Sequence, residues 1–173
     1  RAIMSEVAEG DLDGAAKHAE DLISKAPHAR IPRIVIAVQA MRDGGYARAR
    51  EEFEKVAGNA AAEIAARLGL AYANFSEGKT KEAIEVIGKL SENGGARAFA
   101  LYHLGVIEDL SGQPKEALGH FEEATRVSEG ESLRILLAYA AHLARTGDTA
   151  KAKTIYSDFL KKAPSHPVVR AAL

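Results

Sequence analysis

Apolar residues along this chain fall three and four apart rather than in alternation, and the arrangement as a whole repeats. Glycines stand at Gly10, Gly44, Gly78 and Gly112, each 34 residues from the last, and Gly147 follows after 35. Five residues beyond each glycine lies an alanine: Ala15, Ala49, Ala83, Ala117 and Ala152. Four further on the column reads Ala19, Phe53, Ile87, Phe121 and Tyr156, and three beyond that Leu22, Val56, Leu90, Ala124 and Phe159. Seven residues before each glycine stand Ile3, Ala37, Ala71, Gly105 and Ala140, all but the first small.

Spacings of three and four place residues on one face of an α-helix, so each period predicts two amphipathic helices joined at the glycine. Glycine there supplies the left-handed conformation that ends a helix tightly. The small columns let paired helices approach closely, and the Phe/Ile/Tyr column fills the space against the neighbouring pair. The predicted helices are 2–9, 13–25, 31–43, 47–58, 61–76, 80–91, 97–110, 114–127, 131–145 and 149–162. Pro32 and Pro114 sit where a helix begins, since their missing N–H would have no partner there. Pro27 and Pro164 end helices, and residues 165–173 read as the start of a further one. No alternating stretch of useful length remains for a strand.

The segment Ala98–Glu129, with ALYHLG and SGQPKEALGHFEEA, resembles a tetratricopeptide repeat in most of its signature positions. Asp148–Pro164, with Ala152, Tyr156 and Pro164, is similar to it, and so is Gly10–Pro27. The resemblance implies an all-α fold, an α-solenoid of antiparallel helix pairs wound into a right-handed superhelix. It implies about five repeats, near 1–29, 30–63, 64–97, 98–131 and 132–166, in a single array over 1–173 that ends on the start of a C-terminal helix. Arg33, Arg67 and Glu108 depart from the pattern, standing where the family usually has an apolar residue. The array opens in mid-repeat, so the expectation is a segment of a longer protein.

Composition narrows the function. Charged residues make up 27% and hydrophobic ones 47%, as in an ordinary soluble domain with a substantial core. A net charge of −1 offers no basic field for nucleic acid or an anionic membrane. The absence of Cys removes disulfides, thiolate catalysis and Cys-ligated zinc. The longest apolar run, Ile135 to Ala141, is far short of the ~20 residues that cross a bilayer, so no membrane insertion is expected. The compartment stays open: bacterial cytoplasm and periplasm both fit.

The tempting motifs carry little. Ala73 to Thr80 fits a relaxed phosphate-binding loop, but a helical pattern precedes it and Gly78 already belongs to the periodic series. Asn74-Phe75-Ser76 fits the glycosylation triplet but lies within a predicted helix. The histidines, at 18, 28, 103, 120, 142 and 166, form no His-x-x-x-His pair, so no metal site is expected and they read as solvated or groove-lining. No Gly-x-Ser-x-Gly elbow is present, and Glu51, Glu52 and Glu54 lie among Arg48, Arg50 and Lys55 as a solvated helix face. No enzyme and no cofactor is expected.

In the family, the leading helix of each repeat lines a concave groove that holds the ligand. The resemblance therefore places Ile34, Leu68, Tyr102 and Leu137 inward, then Val38, Tyr72, Val106 and Ala141, then Met41, Phe75, Asp109 and Ala144. The Lys and Asn that clamp a terminal carboxylate in some members are absent from these columns, which argues against that activity. What remains is an apolar, partly aromatic groove with His103, Asp109, Arg134 and Arg145 as polar groups. It suits a protein or peptide partner, an amphipathic helix above all, within a larger assembly. The alternative is a structural segment whose inner face packs on the rest of the array or on a second copy in a homo-oligomer.

Overall fold

The computed structural model describes residues 2–56, 60–92 and 94–162. Ten α-helices run α1 (Ala2–Glu9), α2 (Leu12–Lys25), α3 (Arg30–Arg42), α4 (Tyr46–Glu54), α5 (Ala60–Ser76), α6 (Thr80–Ser91), α7 (Arg97–Leu110), α8 (Pro114–Val127), α9 (Leu133–Thr146) and α10 (Thr149–Lys162). A 3-10 turn at Gly94–Ala96 precedes α7, and there is no strand among the described residues. The expected end of a helix at Pro164, the further helix over 165–173 and His166 lie outside the described residues.

The periodic glycines act as the spacing predicts. Gly10, Gly44, Gly78, Gly112 and Gly147 all have positive φ, between 74° and 104°. In each case the next residue's N–H reaches the carbonyl five residues back: Asp11 to Glu6, Gly45 to Ala40, Lys79 to Asn74, Gln113 to Glu108 and Asp148 to Leu143, at 2.8–2.9 Å. That bond closes the C-terminus of the leading helix and turns the chain back within two or three residues. A Cβ on any of the five would meet nothing within 4 Å, so glycine is needed for backbone conformation and not for room. Asp11 and Asp148 then cap α2 and α10, accepting from the backbone N–H of Gly14 and Lys151.

The expected start of α9 at 131 moves to Leu133, because Glu129 and Gly130 both take left-handed backbone, with φ of 53° and 69°. Glu129 is the one non-glycine there, and it interrupts what would otherwise be a helical lead-in.

The chain divides into two compact units, Arg1–Val86 and Ile87–Leu173, with the boundary inside α6. In the first, α1 packs on α2, α2 on α3, α3 on α4 and α4 on α5, and the leading helices α3 and α5 also touch. In the second, α7 packs on α8, α8 on α9 and α9 on α10, with α7 touching α9. The alanine column is fully buried except for slight exposure at Ala152, which is what close helix pairing requires. In the first unit Phe53 fills a core with Ala37, Ala40, Ala49, Val56, Ala66 and Ala73. In the second Phe121 does so with Ala117, Tyr139, Ala140, Leu143 and Ala152.

Two glycines on the leading helices are required for space against an aromatic ring. A Cβ on Gly69 would lie 2.2 Å from the Phe53 ring, and one on Gly105 would lie 2.9 Å from that of Phe121. Gly105 belongs to the small column read from the sequence. Gly69 falls outside it, two residues before Ala71, and only the packing of Phe53 on α5 reveals its role.

Candidate functional site

On the leading helices of the first unit, the columns expected to face inward contribute to an open apolar surface. Ile34 is half-buried, while Val38 is 43% exposed. Beside them stand Ile31, 54% exposed, and Met4 on α1, 56% exposed. Met4, Val7, Leu12, Ile31, Ile34, Val35 and Val38 line a cleft of about 300 Å³. A wider cleft of about 780 Å³ adjoins it, bounded by Ile3, Leu22, His28, Pro32 and Ala62 among others. Met4, Val7 and Ile31 were not among the residues read as groove-lining. The signal was present: Met4 and Val7 precede Val38 and Met41 by one period of 34, and Ile31 lies one turn before Ile34. Leu68, Tyr72 and Phe75 on α5 are half-buried.

The second unit presents Tyr102, Val106 and Leu137, all half-buried, with Tyr102 and Val106 resting on the core around Phe121. Its polar residues are tied down. Asp109, though placed inward by the columns, accepts from His142 Nδ1 at 3.0 Å and from Arg145. It bridges two leading helices and is spoken for. His142 is 1% exposed and lies 5.5 Å from the Phe121 ring, so it is neither solvated nor groove-lining. His103 is also buried, packed edge-on to Phe99 and Tyr102 at 4.5 and 4.6 Å between ring centroids. Burial first, and the charge of Arg134 second, push it down to about 4, which leaves the imidazole neutral at physiological pH. Arg134 and Arg145 are exposed.

The departures from the family pattern prove to be paired charges. Arg33 on α3 donates to Glu52 on α4 at 2.6 Å, with both side chains largely buried, and also to the Pro27 carbonyl. Lys55 holds the same Glu52, and against the effect of burial the two cations keep its carboxyl below the usual range. Glu108 on α7, its side chain 5% exposed, accepts from His120 Nδ1 on α8 at 2.6 Å. Glu6 on α1 meets His18 on α2 at 2.7 Å in the same way, and both residues lie 102 positions, or three periods of 34, before their counterparts. Glu52, His120 and His18 occupy one repeat position on the trailing helix. Arg67 has Val86 at that position and turns instead to Glu63, one turn back on its own helix.

The motif set aside as a phosphate loop is a helix-to-helix turn, with Lys79 Nζ 2.7 Å from Glu77. Asn74 of the glycosylation triplet is buried within α5. No cluster of metal-ligating side chains occurs among the described residues, and no helix among them is long and apolar enough to cross a membrane.

Comparison with known proteins bears on this geometry directly. Residues 34–89 match a family model described as tetratricopeptide repeat, and residues 133–173 match a second model of the same description, together more than half of the chain. No curated protein matches it significantly. A thermophilic tetratricopeptide-repeat protein of Thermus thermophilus is similar in structure, with 17% identity, a TM-score of 0.71, and coverage of 98% of this chain and 92% of that one. MamA of Desulfovibrio magneticus is similar at 17% identity and a TM-score of 0.72, over 95% and 93% of the two chains. PilF of Pseudomonas aeruginosa gives 16% identity and a TM-score of 0.71, over 92% and 72%.

Proposed function

We infer that this chain, which belongs to the tetratricopeptide-repeat family, is a non-catalytic scaffold that receives an apolar face of a protein or peptide on its leading helices. One observation carries the reading. Met4, Ile31 and Val38 are each more than 40% exposed and share one open apolar cleft on the inward positions of α1 and α3. A contiguous apolar surface of this kind marks an interaction site more often than an ordinary exposed face. The clefts and the half-buried Leu68, Tyr72 and Phe75 suit side chains at i, i+3 and i+4 on an amphipathic helix. Within the first unit Tyr72, and within the second Tyr102, each supplies an amphipathic anchor of its own. The near-neutral net charge supports a protein partner over nucleic acid.

Selection of random displayed peptides on the full chain tests the reading. Enriched sequences carry apolar residues at helical spacing, and Ile31→Glu with Val38→Glu abolishes their binding. Lys81→Ala with Lys115→Ala, on exposed positions of the trailing helices, leaves it unchanged. Binding lost in the lysine pair and kept in the Ile31/Val38 pair moves the site to the other face. A concentration-dependent dimer in light scattering, dissolved by Ile31→Glu with Val38→Glu, shows that a second copy fills the cleft.

A further inference from the structure

Eight of the described arginines hold a carboxylate at ion-pair distance. Arg134 is different. It is exposed in the first turn of α9, and no hydrogen bond or ion pair engages it among the described residues. An arginine is costly to immobilise but weakly hydrated, and its planar fork matches a carboxylate with two parallel hydrogen bonds.

Its surroundings are apolar and aromatic. Arg134 lies one turn before Leu137 on α9, and its field reaches His103 on α7, which is wedged between Phe99 and Tyr102. The only acid on this inward face of α7 is Asp109, two turns from Tyr102 and already saturated by His142 and Arg145. Among the described residues of the second unit no carboxylate pairs with Arg134, not even Glu131 three positions before it.

We propose that Arg134 marks a subsite for one acidic side chain, Asp or Glu, of a bound peptide, with a neighbouring apolar side chain of the same peptide resting on Tyr102 and Leu137. This rests on the peptide-binding reading above and specifies what it binds. A single guanidinium one turn from half-buried Leu137, with its charge acting on His103 beside Tyr102, gives a free anion little to hold. A carboxylate carried on an apolar segment gains the ion pair and the burial together. A terminal carboxylate needs several converging donors, and the inward columns supply no Lys or Asn. The subsite also reports on its occupant. Burial is the larger cause of the low His103 value and the Arg134 charge the smaller. A carboxylate paired with Arg134 offsets only the second, so His103 titrates higher with an acidic peptide bound than with the amide form of the same peptide.

The test is a side-by-side selection of random displayed peptides on the full wild-type chain, Arg134→Gln and Arg134→Glu, each first shown to keep its helical spectrum. Wild type enriches an acidic residue at fixed spacing from an apolar one, Arg134→Gln loses that bias, and Arg134→Glu replaces it with Lys or Arg. For a selected peptide, changing the acid to its amide weakens binding to wild type by about tenfold and leaves binding to Arg134→Gln unchanged. The imidazole of His103, followed by NMR, shows a higher titration midpoint with that peptide bound than with its amide analogue bound, and equal midpoints overturn the pairing with Arg134. Enriched peptides with no acidic bias, or a bias that survives Arg134→Glu, overturn this subsite and leave the scaffold reading standing. No enrichment on wild type overturns both.

Discussion

The two compact units solve the same packing problem with different materials. In Arg1–Val86 the leading helices leave apolar side chains in the open, and the polar pair at Glu6 and His18 sits near the surface. In Ile87–Leu173 the end of α7 carries two adjacent acids, Glu108 and Asp109, each held by a histidine from a different helix, His120 on α8 and His142 on α9. The same repeat grammar can thus leave a surface available or lock helices together. The choice depends on a few positions outside the buried alanine and aromatic columns.

Steric changes have the largest expected effect and should strike both units alike. Ala83→Leu and Ala117→Leu, at fully buried helix crossings, each destabilise by roughly 1–3 kcal/mol in urea denaturation. Gly69→Ala sharpens the contrast. Its Cβ would intrude further on Phe53 than that of Gly105→Ala on Phe121, so it costs more, about 2–3 against about 1 kcal/mol. Equal losses for the two glycine variants would mean that the Phe53 ring relocates freely.

Removing a polar partner should separate the units. Glu108→Gln weakens a buried charge-assisted bond and costs about 1–2 kcal/mol at mildly acidic pH. Glu6→Gln, beside a half-exposed histidine, changes stability by less than about 0.5 kcal/mol. Hydrogen exchange places the first loss in α7 and α8, and a comparable loss in α1 and α2 for Glu6→Gln would erase the distinction.

A smaller effect follows from pH. The hydrogen bond to Glu108 raises His120 above its ordinary value of about 6.5, with burial opposing and the charges of Glu108 and Glu123 adding to the rise. A raised histidine contributes stability that is full below its unfolded value and lost as pH climbs through the folded one. The melting temperature therefore falls as pH rises from about 6 to 8, and His120→Gln flattens that slope. A slope unchanged in His120→Gln assigns it to another group.

Smallest of all, Ile31→Ser with Val38→Ser should leave stability within about 0.5 kcal/mol, because about half of each residue's surface already meets water. A large loss would mean that this surface is internal packing and not a site.

The architecture was legible in the sequence because it rests on period. A glycine every 34 residues, with alanine and aromatic columns at fixed offsets, specifies where helices pair and turn. The predicted helices agree with α1 to α10 within a few residues. The polar pairings were hidden because they join residues 12 to 36 positions apart on different helices. Read singly, Arg33 and Glu108 look like faults in the pattern, and only their facing partners Glu52 and His120 explain them. The open surface was half-legible: Ile34 and Val38 lie in its columns, but Met4, Val7 and Ile31 needed the packing to show that nothing in the described chain covers them.

The equal spacing of Glu6–His18 and Glu108–His120 bears on how such a chain can be rearranged. Each acid and its histidine lie on the two helices of a single pair, so a whole pair copied, deleted or moved takes its counter-ion along. Exchange of one helix alone does not. With α10 in place of α8, Glu108 would face Ile155, and with α8 behind α9, His120 would face Leu143. Breakpoints between pairs are therefore silent for this network, whereas a breakpoint at the glycine turn within a pair strands a buried charge. Movement in whole periods keeps both of these pairs, while the bridge from Asp109 to His142 and Arg145 survives only where the α7–α8 and α9–α10 pairs stay adjacent.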